Sequence, residues 1–304
     1  MSEKNFTSLF NFNADIKLPF LKRIYWLIIN FVNNLFPEIN LDTKLIIKKF
    51  NLKKTNKLME NIDKFSSPAR IFCDNFWFFF PWEKIHLNKN KLNFVEIGCG
   101  KGVYANLLSR LLQNNFLTYK GIDIKKYDEW KNFNKETFDF NIDTSDNVTK
   151  YIENCDILFT QSAIEHFEND LLFFKKINNF LDSKNANLLQ IHLFPSCECL
   201  GTYLWHGYRQ YSPRNISKIT KLFNEKYTKI LFKLGSSNSN TIHKKFITYP
   251  KIFKKIDDRY SKNSSYIKKI LNSFEKYDDK RFQTSFYALV IFDKEYFNLD
   301  LSDF

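Results

Sequence analysis

The sequence predicts an α/β protein built on a doubly wound, seven-stranded and mostly parallel sheet. From residue 93 to residue 194, short apolar segments alternate with segments of helical periodicity, at the spacing of successive β-α-β units. A glycine-rich turn follows the first of these strands. Two more strand patterns stand near the C-terminus with a basic helical segment between them, which predicts an antiparallel pair at one edge of the sheet.

Each of the seven strands is predicted from a short apolar run that glycine or polar turn residues bound. The runs cover residues 93–99, 118–124, 138–143, 155–162, 186–194, 227–235 and 284–294. Around this pattern we expect a helical N-terminal extension or cap over residues 1–90 and a main domain over 91–304. A helical insert at about 243–282 belongs to the main domain.

One helix of the extension is predicted from the run FLKRIYWLIINFVNNLF, residues 20–36. Its large apolar side chains recur at helical spacing and form one stripe: Phe20, Ile24, Leu27, Phe31 and Leu35. The run is too short and too polar to span a bilayer. Either the stripe packs on the main domain, or the helix rests on a membrane surface with the help of Trp26 and the adjacent basic residues.

Charge alone does not identify a partner. The formal net charge is +13 at pH 7, from 46 Lys and Arg against 33 Asp and Glu, which permits contact with nucleic acid or an anionic membrane. Residues 244–281 hold 12 of the basic and 5 of the acidic residues, so this segment is either a solvated helical insert or the face of an anionic partner. No specific nucleic-acid partner is expected.

Cysteine usage favours a reducing compartment. The five cysteines form no CxxC pair, so we expect a cytoplasmic protein, with peripheral contact to the inner face of the membrane allowed. No signal peptide is recognised at the N-terminus. Cys197 and Cys199, near His192, have the wrong spacing for a structural zinc pair, and no metal ion is expected. The oligomeric state stays open.

The stretch FVEIGCGKG, residues 94–102, is the most informative in the chain. Gly98, Gly100 and Gly102 lie between a predicted strand and a predicted helix, at the carboxyl end of the strand, where doubly wound sheets bind ligands. Glycine lets the backbone approach a ligand and adopt positive φ, and the chain has only 7 glycines to place. Asp123 ends the second strand, where a carboxylate can accept hydrogen bonds from a ribose diol. Asp143 ends the third.

At these positions the sequence resembles the class I S-adenosylmethionine-dependent methyltransferases, in their small-molecule branch. The acid-x-Gly-x-Gly-x-Gly pattern begins at Glu96, and the segment CDILFTQSAIEHFEND, residues 155–170, contains the S-x-x-E-H unit common in that branch. The resemblance covers residues 92–200 well and residues 220–295 by strand pattern only. It implies a Rossmann-like methyltransferase fold and S-adenosylmethionine (SAM) as the cofactor.

Carried over by position, the resemblance implies a cofactor site along the ends of four strands. Its residues would be Glu96, Gly98, Cys99, Gly100, Gly102, Asp123, Asp143, Gln161 and Ser162. Asp123 would hold the ribose hydroxyls, and Asp143 would approach the adenine amine. A nucleotide-binding dehydrogenase is the competing interpretation. Its turn reads G-x-G-x-x-G, however, and the carboxylate of Glu96 suits an amino-acid ammonium better than a diphosphate.

Two histidines are the candidate catalytic residues, His166 and His206. Methyl transfer from a sulfonium depends chiefly on in-line alignment, and a base assists when the acceptor is a hydroxyl. In this fold the loop after the fourth strand opens toward the methyl group, so His166 is a candidate base, although it can equally cap the following helix. Glu165 can orient the acceptor.

The stretch TYLWHGYRQYSPRN, residues 202–215, follows the fifth strand, where this fold places acceptor-binding loops. Its rings and donors suit a sugar or a polar aromatic ring, and Arg209 can pair with a phosphate or carboxylate. The predicted substrate-binding residues are Glu165, Trp205, Arg209 and Tyr211. The alternative is an aromatic-rich loop that only seals the sheet edge. The string also resembles loops of bacterial methyltransferases of the surface-glycan type.

The resulting expectation is a SAM-dependent O-methyltransferase whose acceptor is a hydroxyl of a sugar or glycan precursor. A methyltransferase of a quinone or lipid precursor at the membrane surface is the main alternative. An RNA methyltransferase is less expected, because the chain reads Gln161-Ser162-Ala163-Ile164 where an N-P-P-Y-type tetrad would stand. A non-catalytic SAM-binding protein is the fourth possibility.

Overall fold

Eight strands, numbered along the chain, form one mixed sheet. They are β1 (Leu45–Lys49), β2 (Leu92–Ile97), β3 (Phe116–Asp123), β4 (Phe138–Ile142), β5 (Ile157–Gln161), β6 (Leu189–Pro195), β7 (Tyr227–Leu234) and β8 (Phe286–Asp293). Their order is β1-β7-β8-β6-β5-β2-β3-β4. β8 runs antiparallel to its neighbours β6 and β7, and the other pairs are parallel.

The computed structural model describes residues 4–50, 65–85, 91–275 and 283–297, together with Leu299 and Leu301. Parts of the predicted extension (1–3, 51–64 and 86–90), the end of the predicted insert (276–282) and residues 298, 300 and 302–304 lie outside the described residues.

The helices of the described residues flank this sheet. They are α1 (Phe20–Asn33), α2 (Pro68–Phe79), α3 (Val103–Leu112), α4 (Asp170–Lys184), α5 (Pro213–Thr220), α6 (Ser237–His243), α7 (Tyr249–Lys254), α8 (Asp258–Ser261) and α9 (Asn263–Glu275). The mostly parallel α/β class is therefore confirmed, as are all seven predicted strands and the antiparallel pairing of the last two.

The predicted strand number is wrong by one, because the extension supplies β1 as an edge strand. β1 pairs in parallel with β7 from Leu45 opposite Lys229 to Lys49 opposite Lys233. Only Leu45 of this strand is buried, so the segment lacks the alternation that identifies a half-buried strand. Its two lysines suit an exposed edge. A division at residue 90 therefore does not separate the extension from the sheet.

Side chains on alternate strand positions build a core on each face of the sheet, as a doubly covered parallel sheet requires. On β2, Phe94 joins the core that α2 and α3 cover, and the next residue, Val95, joins the core under α4 and α5. Phe159 and Leu158 of β5 divide in the same way. This double burial explains the near-continuous apolar runs from which the strands were predicted.

The basic segment between β7 and β8 is helical, as predicted, and α6 to α9 form it. Its small apolar core contains Ile242, Phe246, Tyr266 and Ile270, and Ile71 of α2 completes the cluster. The insert is thus anchored to α2.

The apolar stripe of α1 does not pack on the main domain, which was the first of the two predicted arrangements, and the second, on a membrane surface, stays a prediction. Phe20, at 74% exposure, and Phe31, at 65%, point to solvent, whereas Trp26, Ile29, Asn30 and Asn33 are buried. The buried polar side chains explain this orientation. Asn33 Oδ1 accepts hydrogen bonds from the backbone N–H groups of residues 9 and 10, and Asn30 Oδ1 accepts one from the N–H of residue 210.

The apolar stripe of α1 therefore faces outward, because the polar side of the helix turns inward to accept hydrogen bonds from backbone N–H groups that would otherwise be unsatisfied. None of the helices in the described part of the chain has the length and hydropathy needed to cross a bilayer.

Candidate functional site

The glycine turn between β2 and α3 has the backbone that its sequence predicts. Gly98, Gly100 and Gly102 have φ values of 80°, 51° and 79°, which side chains disfavour. A Cβ on Gly98 would lie 2.4 Å from the Cβ of Ala163, so glycine is needed where the turn meets the loop after β5. A Cβ on Gly100 would meet nothing within 4 Å. Gly100 therefore presents bare backbone to open space.

Asp123, at the end of β3, fixes this turn. Its Oδ2 accepts a hydrogen bond of 2.8 Å from the N–H of Gly100, and Trp130 Nε1 donates to the carbonyl of the same glycine at 2.7 Å. Both polar groups of the Gly100 backbone are thus held in place. Asp123 is only partly buried, so its carboxylate can still accept hydrogen bonds from a ligand above the turn.

Glu96 and Cys99 lie beneath the turn rather than on its open side. Glu96 is 1% exposed and accepts a hydrogen bond from the hydroxyl of Tyr119. Burial raises the pKa of Glu96 to about 8, against the lowering effect of the Tyr119 hydrogen bond. The Cys99 thiol points toward Gly121. Glu96 therefore supports the turn from its buried side, and its place beside the cofactor ammonium stays a prediction.

The carboxylate of Asp143 also accepts several hydrogen bonds from neighbouring residues. Its carboxylate accepts hydrogen bonds from the N–H of Thr144 at 2.8 Å, from Asn147 and from the hydroxyl of Tyr151 at 2.7 Å. These hydrogen bonds, led by that of Asn147, lower its pKa to about 2. Asp143 thus organises the loop after β4, and its contact with an adenine amine stays a prediction.

Gln161 and Ser162 end β5 beside the turn. Gln161 Oε1 accepts a hydrogen bond from Trp77 Nε1 at 3.1 Å, which links the strand end to α2. Ser162 has a φ of 56°, in the left-handed region that non-glycine residues rarely adopt and that clusters at functional sites. Its hydroxyl donates to Glu165 Oε1 at 2.7 Å. The strained residue thus orients the carboxylate that follows it.

Four side chains that can ionise converge next to this turn. His166 Nδ1 lies 2.7 Å from Asp15 Oδ2, and the carboxylate accepts its N–H. Glu165 Oε1 lies 3.5 Å from His206 Nε2 and 3.9 Å from His166 Nε2. The two imidazole rings meet edge to face, with their centroids 4.5 Å apart. The structure therefore brings together both candidate catalytic histidines and the predicted Glu165.

Charges within this cluster support one another. Burial alone would lower the pKa of His166, but the hydrogen bond to Asp15 and the nearby Glu165 carboxylate raise it above its ordinary value. Burial alone would raise the pKa of Glu165, but the two histidines and Ser162 hold it below its usual range. The same pairing lowers the pKa of Asp15 against its own desolvation. The negative charge of Asp123 also raises the pKa of His166, so the turn and the cluster interact electrostatically.

Gly207 explains how His206 reaches Glu165. Its φ is 66°, and a Cβ there would lie 2.5 Å from the carbonyl oxygen of Glu165. The N–H of the next residue, Tyr208, donates to that carbonyl at 2.8 Å. Only glycine permits this close approach of the 202–215 loop to the β5 loop, so the Trp-His-Gly unit serves to position His206.

Arg209 and Tyr211, two of the predicted substrate-binding residues, are fully buried, and their polar groups contact other protein groups. Arg209 is 0% exposed, and its guanidinium donates to the carbonyls of Phe167 and Glu168 at 2.7 and 2.8 Å. It also pairs with Asp170 at 3.2 Å. The hydroxyl of Tyr211 donates to Asp170 at 2.8 Å. The second half of the loop therefore forms a buried polar network that holds the first half in place.

Trp205 and His206 line a cleft of about 670 Å³ between α1 and the insert. Trp205 has a φ of 55°, and its Nε1 donates to the carbonyl of Arg23 at 3.2 Å, while the Arg23 guanidinium lies 5.0 Å from the ring centroid. The cationic residues that line the cleft are Arg23, Lys251, Lys255 and Arg259. Among the described lining residues there is no Asp or Glu.

Sequence reasoning missed Asp15, Trp130 and the cationic cleft residues. No local pattern distinguishes Asp15 from other polar residues of the extension, and its role arises only because the extension folds over Gly207. The N–H of Gly207 donates to Asp15 Oδ1 at 2.9 Å, and its carbonyl accepts from the N–H of Ala14 at 3.0 Å. The basic character of the insert was visible, but not its position beside His206.

No protein-family model and no curated protein matches the sequence. Among solved structures, the chain is similar to the plantazolicin methyltransferase BamL in complex with a triazolic desmethylPZN analog and SAH. That match has a TM-score of 0.48, 11% identity, and covers 78% of this chain and 90% of that one.

Two other similar structures are the plantazolicin methyltransferase BpumL in complex with SAH and the [4+2]-cyclase SpnF. The BpumL match has a TM-score of 0.46 and 12% identity, covering 78% and 89% of the two chains. For SpnF the TM-score is 0.44 and the identity 10%, over 77% and 84%. Structural similarity at this level does not identify a reaction, so the function has to be inferred from the residues of this chain.

Replacing Arg209 tests its structural role. We expect Arg209→Ala to lower the free energy of unfolding by about 3–5 kcal/mol, because Asp170 would stay buried without its cationic partner. Denaturant titration measures this change. The matched control is Arg110→Ala, at an exposed position of α3, which should change the free energy of unfolding by less than about 0.5 kcal/mol. Unchanged stability with lost substrate binding would instead return Arg209 to the role predicted from the sequence.

Glu96 generates a pH-dependent prediction. The folded chain holds the Glu96 proton up to a pH of about 8, whereas the unfolded chain releases it near 4.5. The folded state therefore binds more protons in this window, and Glu96 destabilises the fold progressively as the pH rises. We expect Glu96→Gln to remove this effect, with a gain over wild type that grows by ~1.4 kcal/mol per pH unit at most.

Thermal unfolding of both proteins from pH 5 to pH 8.5 measures this difference. The same substitution at the exposed Glu136 controls for the loss of one carboxylate. A gain from Glu96→Gln that is equal at both ends of the range would show that burial does not perturb the Glu96 carboxyl.

Proposed function

We propose that this chain is a SAM-dependent methyltransferase that methylates a hydroxyl of a small polar acceptor, a sugar or glycan precursor. One observation carries the proposal. The open backbone of Gly100, fixed by Asp123, stands at the same sheet edge as the Glu165–His166–His206 cluster. A cofactor cradle and a proton-accepting group therefore meet where a donor and an acceptor would react.

The turn fits SAM better than a dinucleotide. Of its three glycines, Gly100 alone has open space beside its Cα, and Asp123 offers a carboxylate to a ribose diol. Ala163 packs directly on Gly98, and Glu165 lies two residues further along the chain. Carboxylates near the turn favour a sulfonium cation and disfavour a diphosphate. When bound, SAM would supply an electrophilic methyl group.

The residues of this chain would align the acceptor and receive its proton. Because Asp15 holds Nδ1 of His166, the Nε2 atom is the nitrogen available to an acceptor hydroxyl. His206 lines the cleft, and its ring meets that of His166 edge to face, so an acceptor in the cleft would contact His206 directly. The basic lining favours an acceptor that carries a phosphate or carboxylate beside the hydroxyl.

Calorimetric titration with S-adenosylhomocysteine (SAH) tests the cofactor site. The wild type should bind it, and Asp123→Asn should weaken binding roughly 10- to 100-fold, as expected for the loss of a charge-assisted hydrogen bond. Asn keeps an acceptor for the N–H of Gly100, so the turn should survive. Asp139→Asn on exposed β4 is the control and should bind like the wild type. A wild type that does not bind SAH would contradict the proposal.

A second candidate, methylation of a quinone or lipid precursor at a membrane, is favoured by the exposed face of α1. Leu21 is 77% exposed on one side of the cleft, and Phe253 of α7 is 78% exposed on the other. Arg23 of α1 and Lys251 of α7 line the cleft between them. Apolar side chains flanked by cations match an anionic lipid surface, so the cleft mouth would face the membrane.

Vesicle sedimentation tests this second candidate. We expect the chain to bind phosphatidylglycerol-containing vesicles in preference to phosphatidylcholine vesicles, and to lose that binding at high salt. The double variant Leu21→Ser, Phe31→Ser should bind less, while Ile46→Ser on edge strand β1 should bind like the wild type. Equal binding by all variants, or self-association through α1 seen by light scattering, would contradict a membrane role.

Labelled SAM separates the two acceptor classes. If the chain is incubated with cell-envelope extract, label in the water-soluble or glycan fraction supports the first candidate. Label in the organic-solvent fraction supports the second.

A further inference from the structure

We propose that His166, His206 and Glu165 form a binding site for one divalent transition-metal ion, with Asp15 orienting His166 from behind. The proposal concerns the acceptor side of the site. Its catalytic meaning rests on the proposed function, whereas the binding of the ion does not.

Two of the three separations, from Glu165 to each histidine, are close to those of neighbouring metal ligands. Glu165 Oε1 lies 3.5 Å from His206 Nε2 and 3.9 Å from His166 Nε2, too far for short hydrogen bonds. Metal–ligand bonds of about 2.0–2.2 Å place neighbouring ligand atoms roughly 3–3.5 Å apart, so a small contraction would suffice. Ligand atoms of Asp15, His166 and His206 also lie within 4.8 Å of one another.

Glu165 supplies an independent observation. The side chain is 0% exposed, and its Oε2 atom has no hydrogen-bond partner among the described residues. Burial of a carboxylate oxygen without a partner is costly, and burial near a metal ion is one of the arrangements that offsets this cost. The unpartnered oxygen stands in the same carboxylate that both histidines face.

The groups behind these ligands have the arrangement that metal-binding histidines usually show. Asp15 accepts the Nδ1–H of His166 at 2.7 Å, which leaves Nε2 directed to the Glu165 side. Metal-bound histidines generally donate their other ring N–H to such a carboxylate or carbonyl. Ser162 orients Glu165 in turn, through the 2.7 Å hydrogen bond to Oε1.

Two imidazoles and a carboxylate select the class of ion. This donor set suits Zn²⁺, Mn²⁺, Fe²⁺ or Co²⁺ rather than the all-oxygen environments of Ca²⁺. With the ion bound, Nε2 of His166 would be a ligand and not the base: the ion would coordinate the acceptor hydroxyl and lower its pKa, so that the proton would pass to water. The alkoxide oxygen then forms a bond to the methyl carbon as the carbon–sulfur bond breaks, and its electron pair stays on the sulfur of neutral SAH.

Metal titration of the chelator-treated chain tests the site. Calorimetry with Zn²⁺ and Mn²⁺ should show one ion per chain, and Co²⁺ should give visible d–d absorption. His206→Gln and Glu165→Gln should each weaken binding about 10-fold or more. His206 is 38% exposed, so its replacement should leave the fold intact. His243→Gln, which alters another histidine of the same cleft, is the matched control and should bind like the wild type.

Titration of the same samples with SAH distinguishes the two proposals. Absence of metal binding, or equal metal binding by His206→Gln and the wild type, would overturn the metal site while SAH binding stayed intact. A wild type that binds the ion but not SAH would keep the metal site and overturn the methyltransferase. The histidines would then serve only as ion-pair partners of Glu165 and Asp15 if neither titration gave a signal.

Discussion

The buried carboxylate of Asp170 is the interaction on which the candidate site depends. It accepts hydrogen bonds from the N–H and hydroxyl of Thr7 at 2.9 and 2.7 Å and from the hydroxyl of Tyr211, and it pairs with Arg209. A charge at 0% exposure needs all of these partners. The extension, the start of α4 and the 202–215 loop must therefore assemble together. Asp15 and His206 come from the extension and the 202–215 loop, and His166 lies four residues before Asp170, so their meeting follows from this network.

Gly207 connects this network to Glu165 and His206. One side of it presses on the Glu165 backbone, where a Cβ would not fit. On the other side its carbonyl accepts hydrogen bonds from Ala14 N–H and from Trp26 Nε1 at 3.1 Å. The glycine thus lies between the β5 loop and the extension. The crowding of rings around it, which in the sequence resembles a binding surface, is mostly the packing that holds one histidine against one carboxylate.

Features encoded by local pattern were predictable, and features that depend on remote partners were not. Apolar runs bounded by turn residues identified seven strands, and spacing along the chain identified the glycine turn and Asp123. The edge strand β1 escaped because an exposed edge needs no alternation. Of the two arrangements predicted for α1, the packing of its apolar stripe on the main domain is wrong, because that prediction assumes that the apolar side is buried. There the backbone donors met by Asn30 and Asn33 outweighed that assumption.

Arg209 shows a deeper limit of sequence reasoning. An arginine among tyrosines has the composition of a ligand site and of a buried ion network alike, and only the position of Asp170 decides between them. The outcome also changes the electrostatic picture of the site. Because Arg209 is buried, the positive charge in the cleft comes from α1 and the insert, through Arg23 and Lys255. The negative charge lies beside the turn, at Asp123 and Glu165. Under the proposed function, a cationic donor and an anionic acceptor would each be drawn to its own end of the site, and the elements added around the sheet would set the direction of approach.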